Sequence, residues 1–329
     1  MADSTWVVAS KRVEPRWRLR AFLRRLRSGD EIAHLTTLIF ALTILLITFL
    51  LVYELWINST LARHRFGWHF LFTRTWDPVF ENFGALPFIF GTTVTSTLAL
   101  LMAIPLGVGA AIFLAELAPP RISDALTFFI ELLAAVPSVI YGLLGIFVVV
   151  PILRTTVMPF LKDTLGFLPL FQGHIYGFSL FAAGTVLAIM IIPFIISISR
   201  EVLLAVPGEQ REAALALGAT KWESTWKVVV PYARVGIMGS VFLALARALG
   251  ETMAVTMVIG NDTKIASSLF APGNTIAAVI ANEFTEATSD LYVHALVELG
   301  LVLFLLTIIL NALARLLILA TTRRGTAHV

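Results

Sequence analysis

The sequence contains six apolar stretches that are each long enough to cross a bilayer, and they restrict the fold more than any other feature. They cover residues 35–57, 86–117, 125–150, 176–199, 235–260 and 291–320. A helix needs about 20 apolar residues to cross the hydrocarbon core, and in lipid a helix satisfies its own backbone hydrogen bonds. A membrane β-barrel would show alternating segments of about 10 residues, a pattern that is missing here. The sequence therefore predicts an all-α membrane protein with six transmembrane helices.

Composition supports a chain that stays in the membrane. Charged residues make up only 14% of the sequence, whereas a soluble domain carries about 25%. Cysteine is absent, which excludes disulfides and thiolate metal sites. The basic amino terminus leads into the stretch 35–57, which is longer than the apolar core of about 7–15 residues in a cleaved signal peptide. We therefore expect a signal anchor that is not removed.

The distribution of Lys and Arg predicts the orientation. With the amino terminus in the cytoplasm, 17 of the 24 basic residues fall in cytoplasmic segments, as the positive-inside rule requires. Six spans then return the carboxyl terminus to the cytoplasm. We expect a basic cytoplasmic tail at 1–30, a six-helix domain at 31–320 with a cytoplasmic loop at 201–232, and a cytoplasmic tail at 321–329.

The loop between spans four and five has a specific pattern. Pro207 is suited to open a helix, and Gly218 is suited to end it. Between them, Ala213 and Ala214 keep one face thin. We expect a short helix, a sharp turn and a second helical stretch that ends at Pro231, forming a knob that seats in a cleft of another protein. An amphipathic linker lying on the membrane is the alternative.

Two charged residues, Arg247 and Glu251, lie inside the fifth apolar stretch. A charge at the centre of a span costs about 2.5–3.5 kcal/mol on insertion scales, and residues four apart share one helix face. The pair is either a structural ion pair or a transit site for an anion. Arginine suits an oxyanion such as phosphate, and the carboxylate of Glu251 can accept a hydrogen bond from a protonated phosphate oxygen, which sulfate lacks.

Prolines and tryptophans add two weaker expectations. Pro105, Pro137 and Pro193 interrupt spans, so kinks are expected there. Trp56, Trp68 and Trp76 suit an interfacial belt, with no role beyond anchoring. The sequence has no phosphate-binding loop, no H-E-x-x-H and no nucleophile elbow, so no enzyme activity is expected.

The loop resembles the Glu-Ala-Ala loop of permeases from ABC importers, which docks on the ATPase subunit. The matching positions are Glu212, Ala213, Ala214, Gly218, Val228, Val230 and Pro231. Valine stands at 228 and 230, where Ile and Leu are commoner. By this resemblance ATP hydrolysis takes place on a separate ATPase, which also holds ATP and Mg, and this chain binds no cofactor.

Four further motifs resemble the phosphate-specific transport permeases, and the last of them resembles the PstC family rather than the PstA family. They are the stretches 91–98 with 104–109, 131–145, 247–254 and 275–284. The resemblance implies a type I ABC importer permease of the MetI-like fold in the bacterial inner membrane. It also implies a heterodimer with a PstA-like permease, a PstB-like ATPase dimer and a PstS-like phosphate-binding protein. Arg247 and Glu251 match positions expected to matter for the passage of inorganic phosphate by alternating access, and no nucleic-acid partner is expected.

Three alternatives stay open. A permease for another oxyanion, such as molybdate or sulfate, belongs to the same broad class. A second alternative is a membrane sensor or scaffold without transport of its own, for which Glu212→Lys would leave phosphate uptake intact. A membrane enzyme is the third, without a catalytic constellation to support it.

Overall fold

The computed structural model describes the backbone of residues 30–325 and the side chains of residues 33–316. The expected tail at 1–30 therefore lies almost wholly outside the described residues, as do the last four residues of the tail at 321–329. Within the described range the chain is helical, and its only β-pairings are two isolated bridges. The helices used below are α1 (Asp30–Asn58), α2 (Thr60–Phe66), α3 (His69–Phe72), α4 (Leu86–Leu117), α5 (Pro120–Ala134), α6 (Ser138–Leu165), α7 (Leu180–Leu204), α8 (Gly208–Ala216), α9 (Lys221–Leu249), α10 (Met253–Ile259), α11 (Ile276–Glu283) and α12 (Asp290–Gly325).

Six helices of the described range are long and apolar enough to cross a membrane, namely α1, α4, α6, α7, α9 and α12. The contacts divide the chain into two units, the first ending at Glu54 and the second beginning at Leu55. In its described part the first unit is one apolar helix. The hydroxyls of Thr37, Thr43 and Thr48 donate to carbonyls one turn earlier in it, which satisfies these polar groups within the helix itself.

The second unit is built around α7. This helix is the most buried of the candidate spans, and it packs against α4, α5, α9 and α10. Leu187, Ile191 and Ile195 are fully buried along it. An apolar helix that is buried on most of its surface is typical of the centre of a helical membrane protein.

Proline positions explain the irregular turns in α6 and α9. Three wide π-turns occur in these helices, and each ends two residues before a proline. They are Gly145–Val149 before Pro151, Leu153–Val157 before Pro159, and Thr225–Val229 before Pro231. A proline lacks an N–H and its ring clashes with the carbonyl four residues earlier, so a widened turn lets the helix continue. The expectation that the helical stretch ends at Pro231 is therefore wrong, because α9 runs through it to Leu249.

Two of the expected spans are broken. The stretch 125–150 divides at residues 135–137, since Pro137 disfavours helical conformation in the residue before it and precedes the start of α6. The stretch 235–260 divides at residues 250–252, and its helix α9 begins earlier, at Lys221. By contrast, Pro105 and Pro193 lie within continuous helices. The other four spans agree with the sequence within several residues.

The second unit has two ends with different chemistry. The Arg211 end comprises the carboxyl ends of α4 and α7 and the early turns of α9, which share a small apolar cluster, together with the helix α8. The Trp76 end holds an aromatic cluster formed by Phe66, Phe70, Trp76, Phe83, Phe88 and Tyr292.

Trp76 is part of that cluster and not a surface anchor. Its side chain is 7% exposed, and its Nε1 donates to Glu283 Oε2 at 2.8 Å, an oxygen that also accepts from the Tyr292 hydroxyl at 2.6 Å. The anchoring expectation is therefore wrong for Trp76. Trp56 and Trp68 are exposed, as an interfacial belt requires.

Candidate functional site

The loop helix α8 begins and ends as its sequence predicts. Pro207 stands directly before it. At its end, Gly218 has a φ of +85°, and two bonds close the turn: Gly218 N–H donates to Leu215 O and Ala219 N–H donates to Ala214 O. This is the Schellman arrangement, in which glycine adopts the left-handed conformation that other residues avoid.

The two alanines of the loop face in different directions. Ala214 is buried against the body of the protein, whereas Glu212, Ala213 and Gly218 are exposed. Leu217, at the tip of the turn, is 90% exposed. The exposed surface of α8 therefore combines a carboxylate, a thin alanine face and an apolar tip.

A capping box that the sequence analysis missed begins α9. The Thr220 hydroxyl accepts from Glu223 N–H, and the Glu223 carboxylate accepts from Thr220 N–H. The Thr-x-x-Glu spacing is a known helix-start signal and would have placed the start of this helix from the sequence. Pro231 lies about two turns further along, inside α9.

The first helix break lies between α5 and α6. Ala135 N–H and Val136 N–H close the end of α5, and the Tyr141 hydroxyl reaches back across the break to donate to Leu133 O at 2.7 Å. Leu133 O also accepts from Val136 N–H, so the hydroxyl adds a second bond to this carbonyl and links the start of α6 to the end of α5.

The second break separates Arg247 from Glu251. Arg247 lies in the last turn of α9, is exposed, and places its guanidinium carbon 5.9 Å from the centre of the Phe194 ring. Glu251 lies beyond the end of α9, and its Oε1 accepts from Ala254 N–H at 3.2 Å. The carboxylate thus caps the first turn of α10, as an acid at a helix start does.

The expectation that Arg247 and Glu251 share one helix face is wrong. The helix stops at Leu249 because Gly250 follows and the Glu251 side chain bonds to the backbone of the next helix. Within the described residues no ion pair joins the two side chains. Arg247 lies in the last turn of α9, whereas Glu251 lies within the three-residue gap that separates α9 from α10.

The structure brings the two breaks together. At Gly142, just after the first break, an added Cβ would lie 3.2 Å from Ala254 Cα and 2.4 Å from Met257 Sδ, so α6 and α10 make backbone-close contact there. Tyr141 lies near enough to Arg247 for the guanidinium charge to act on its hydroxyl. The motifs 131–145 and 247–254, separate in the sequence, therefore form one region.

The motifs 91–98 and 275–284 also meet. At Gly91 in α4 an added Cβ would lie 1.9 Å from Asn274 O, and the Thr92 hydroxyl accepts from Ile276 N–H at 3.0 Å. Thr275 caps α11 by accepting from Ala278 N–H. Together these contacts fix the segment before α11 against α4, and Glu283, at the end of α11, joins it to the aromatic cluster.

The chemistry of the two breaks suits recognition of an anion. Arg247 presents a guanidinium with five donors, and no carboxylate of the described residues occupies it. Glu251 uses one oxygen for capping, which leaves the other to accept a hydrogen bond. No group of three His, Cys, Asp or Glu side chains within the described range is arranged to hold a metal ion.

Comparison with known proteins gives consistent matches along the chain. Residues 103–324 match the family described as binding-protein-dependent transport system inner membrane component. The chain is 48% identical over 308 residues to the phosphate transport system permease protein PstC of Mesorhizobium japonicum, covering 92% of this chain and 94% of that protein. It is 48% identical over 287 residues to PstC of Haemophilus influenzae, covering 86% and 91%.

A solved structure shares the fold. A chain from the crystal structure of a bacterial ABC transporter involved in the import of the acidic polysaccharide alginate superposes with a TM-score of 0.55. Sequence identity is 16%, and the match covers 89% of this chain and 98% of that one. The similarity extends over nearly the whole chain.

Proposed function

The chain belongs to the PstC family of phosphate transport system permeases, within the binding-protein-dependent inner membrane components, and on that premise we propose how the two helix breaks and the loop at 201–232 contribute to phosphate import. It is a permease subunit of a phosphate ABC importer, a multi-pass inner-membrane protein with the MetI-like fold. The expected family, fold class and function are confirmed, and the reading as a permease for another oxyanion is not favoured.

The observation that supports the phosphate site is the exposed Arg247 beside two helix breaks. A guanidinium facing lipid costs about 2.5–3.5 kcal/mol even on lenient scales, whereas one facing a water-filled pathway retains its solvation. Leu243 and Ala246 lie on the same exposed side of α9, and the half-buried Gly239 lies one turn before Leu243. This side therefore faces the translocation pathway and a PstA-like second permease, with which the chain forms a heterodimer.

Arg247 and Glu251 have different roles in the proposed site. Arg247 binds phosphate oxygens through paired N–H donors, and the free oxygen of Glu251 accepts a hydrogen bond from a protonated phosphate oxygen. Broken helices that place polar groups at a cavity are a recurring way to build substrate sites in transporters. Sulfate has no proton to donate at neutral pH, so Glu251 discriminates against it.

The loop at 201–232 is the proposed ATPase contact. Glu212, Ala213, Gly218 and the tip of the turn are presented outward, while Ala214 seats α8 on the body. A PstB-like ATPase dimer, which carries ATP and Mg, receives this knob, and Pro231 stays in α9 to shape the helix that follows. The loop and both chain ends, 1–30 and 321–329, lie in the cytoplasm, and a PstS-like protein delivers phosphate from the other side.

The experiment is ATP-dependent uptake of radiolabelled phosphate into proteoliposomes that contain the assembled importer. Wild-type complex is expected to accumulate phosphate, with excess unlabelled phosphate competing and equal sulfate or molybdate not competing. Glu212→Lys is expected to abolish uptake because it reverses the charge on the docking surface. Asp124→Lys, an exposed acid of α5 outside the loop, is the matched control and is expected to transport normally. Uptake unaffected by Glu212→Lys would instead support a sensor or scaffold.

A further inference from the structure

Arg211, on the loop helix α8, makes a dense set of contacts with two spans. Its Nε donates to both carboxylate oxygens of Glu116 at 3.2 and 3.1 Å, and its Nη2 donates to Glu116 Oε1 at 2.7 Å. Its Nη2 also donates to Leu203 O at 2.8 Å, and its Nη1 donates to Val206 O at 2.6 Å. One guanidinium thus joins α8 to the carboxyl ends of both α4 and α7.

This ion pair differs from the others in the described part of the chain. Glu116 is 9% exposed and Arg211 is 23% exposed at the side chain, whereas each of the other three pairs includes a side chain that is at least 42% exposed. Exposed pairs contribute little, but shielded charge-assisted bonds with fork geometry are strong and directional. The Arg211–Glu116 pair also links residues 95 positions apart.

Arginine is suited to this position for two reasons. A cation at the carboxyl end of α7 interacts favourably with the helix dipole, and the guanidinium bonds there to Leu203 O, which also accepts from Val206 N–H, and to Val206 O just beyond the helix. Lysine, with a single ammonium group, cannot bond one carboxylate and two separate carbonyls in the same fixed plane. The planar guanidinium of Arg211 therefore sets the orientation of α8 as well as attaching it.

Apart from Arg211, α8 packs mainly against the first turns of α9. Of its residues, Ala214 alone is buried, and the helix is flanked by Pro207 and by the glycine turn at 218. Without the Arg211 contacts, α8 would be joined to the spans mainly through α9 and through the chain connection to α7. Neither of these links leads to α4.

The turn that holds Glu116 also bonds to α5, the helix that ends at the first helix break. Glu116 lies in the π-turn at the end of α4. In the same turn Leu114 O accepts from the Ser123 hydroxyl at 2.8 Å, and Ser123 Oγ lies 3.4 Å from Arg200 Nη2 of α7. Ser123 belongs to α5, whose other end is the break that packs beside Arg247.

We infer that Arg211 is the positioning residue that makes α4, α5 and α7 follow the movement of the ATPase. Its clamp on Glu116 and on the two carbonyls converts a displacement of α8 into a displacement of these helices, in parallel with the covalent path through α9. This role rests on the proposed function of the loop as the ATPase contact.

The test measures transported phosphate per hydrolysed ATP in proteoliposomes with the complete importer and the phosphate-binding protein. Arg211→Ala and Glu116→Gln are each expected to lower this ratio by about tenfold, within the range typical of coupling between two sites. The double variant is expected to be no worse than Arg211→Ala alone, because that substitution already removes the contact with Glu116. Arg65→Gln, which breaks the exposed pair with Glu81 outside the loop, is the control and is expected to keep the wild-type ratio.

A cross-linking experiment distinguishes a loss of coupling from a loss of folding in these variants. The chain has no cysteine, so Arg211→Cys combined with Glu116→Cys supplies the only two thiols. Joining them with a short bifunctional thiol reagent is expected to restore the phosphate-to-ATP ratio that the unlinked double variant lacks. An unlinked variant with the wild-type ratio, or a linked variant that stays uncoupled, would overturn the inference. If the wild-type complex transports no phosphate, the proposed function fails and not the clamp alone.

Discussion

Arg247 and Glu251 are separated by the end of a helix, with Arg247 in the last turn of α9 and Glu251 in the gap that follows, where its carboxylate caps the first turn of α10. In a continuous helix, residues four apart share one face, so the two side chains would have formed a pair. The break instead leaves the guanidinium without a carboxylate partner in the described chain and leaves one oxygen of Glu251 available. Both side chains are therefore available to bind a substrate, because they do not pair with each other.

Replacing Glu251 separates its capping role from its charge. Glu251→Gln retains an oxygen that accepts from Ala254 N–H but loses the carboxylate, so we expect a folded permease whose preference for phosphate over sulfate falls by about tenfold or more, the equivalent of one charged hydrogen bond. Glu251→Ala loses the cap as well and is expected to lower stability by about 1 kcal/mol.

Competition between labelled phosphate and sulfate measures the preference, and thermal unfolding in detergent measures the stability. If Glu251→Gln transported phosphate at the wild-type rate with the wild-type preference, the selectivity role of Glu251 would be lost.

Gly218 has a conformation that the turn after α8 requires. With a φ of +85° and open space around the position of a Cβ, Gly218→Ala introduces backbone strain of about 1–2 kcal/mol without a clash. We expect weaker binding of the ATPase and slower phosphate uptake, because the strain opens the turn that presents Leu217.

Gly208→Ala is the matched control for this prediction, since Gly208 is also exposed with open space but has an ordinary φ. The two measurements are the amount of ATPase that copurifies with the permease and the rate of phosphate uptake. Equal behaviour of the two variants would show that the left-handed turn does not matter for docking.

The contact between Gly91 and Asn274 predicts a stability effect at the Trp76 end. A Cβ at Gly91 would lie 1.9 Å from a backbone oxygen, which cannot move without displacing the segment that leads into α11. We expect Gly91→Ala to lower stability by about 1–3 kcal/mol, the usual range for overpacking.

Thermal unfolding of the purified permease in detergent checks this expectation, with Gly109→Ala as the control in the same helix, because nothing lies within 4 Å of a Cβ there. A melting temperature unchanged by Gly91→Ala would mean that the two backbones do not approach this closely.

The sequence predicted the spans well where apolar runs are continuous and poorly where they are broken. The run 235–260 contains no proline, and hydropathy alone cannot show that Gly250 and the capping carboxylate of Glu251 divide it. Pro231, in turn, suggested a helix end because the sequence does not reveal the π-turn that accommodates it. The capping box at Thr220 and Glu223 was readable but was overlooked.

Side-chain pairs between distant parts of the chain could not be predicted from the sequence for a different reason. Glu116 stands at the end of one apolar run and Arg211 in a loop 95 residues later, and each alone resembles an ordinary interfacial charge. The same holds for Trp76, which suited a membrane anchor until its contact with Glu283 was seen. Family motifs indicated which stretches matter, whereas the fold was needed to show that 131–145 meets 247–254.

The most direct test of the account is ATP-dependent phosphate uptake by the reconstituted importer carrying Arg247→Gln. Losing the guanidinium removes charge-assisted bonds of about 1.5–3 kcal/mol, so we predict uptake at least about tenfold below wild type, with partial activity in Arg247→Lys. Arg65→Gln, which removes the same charge from an exposed pair with Glu81, is predicted to transport normally. Wild-type uptake by Arg247→Gln would contradict the claim that phosphate passes at the two helix breaks.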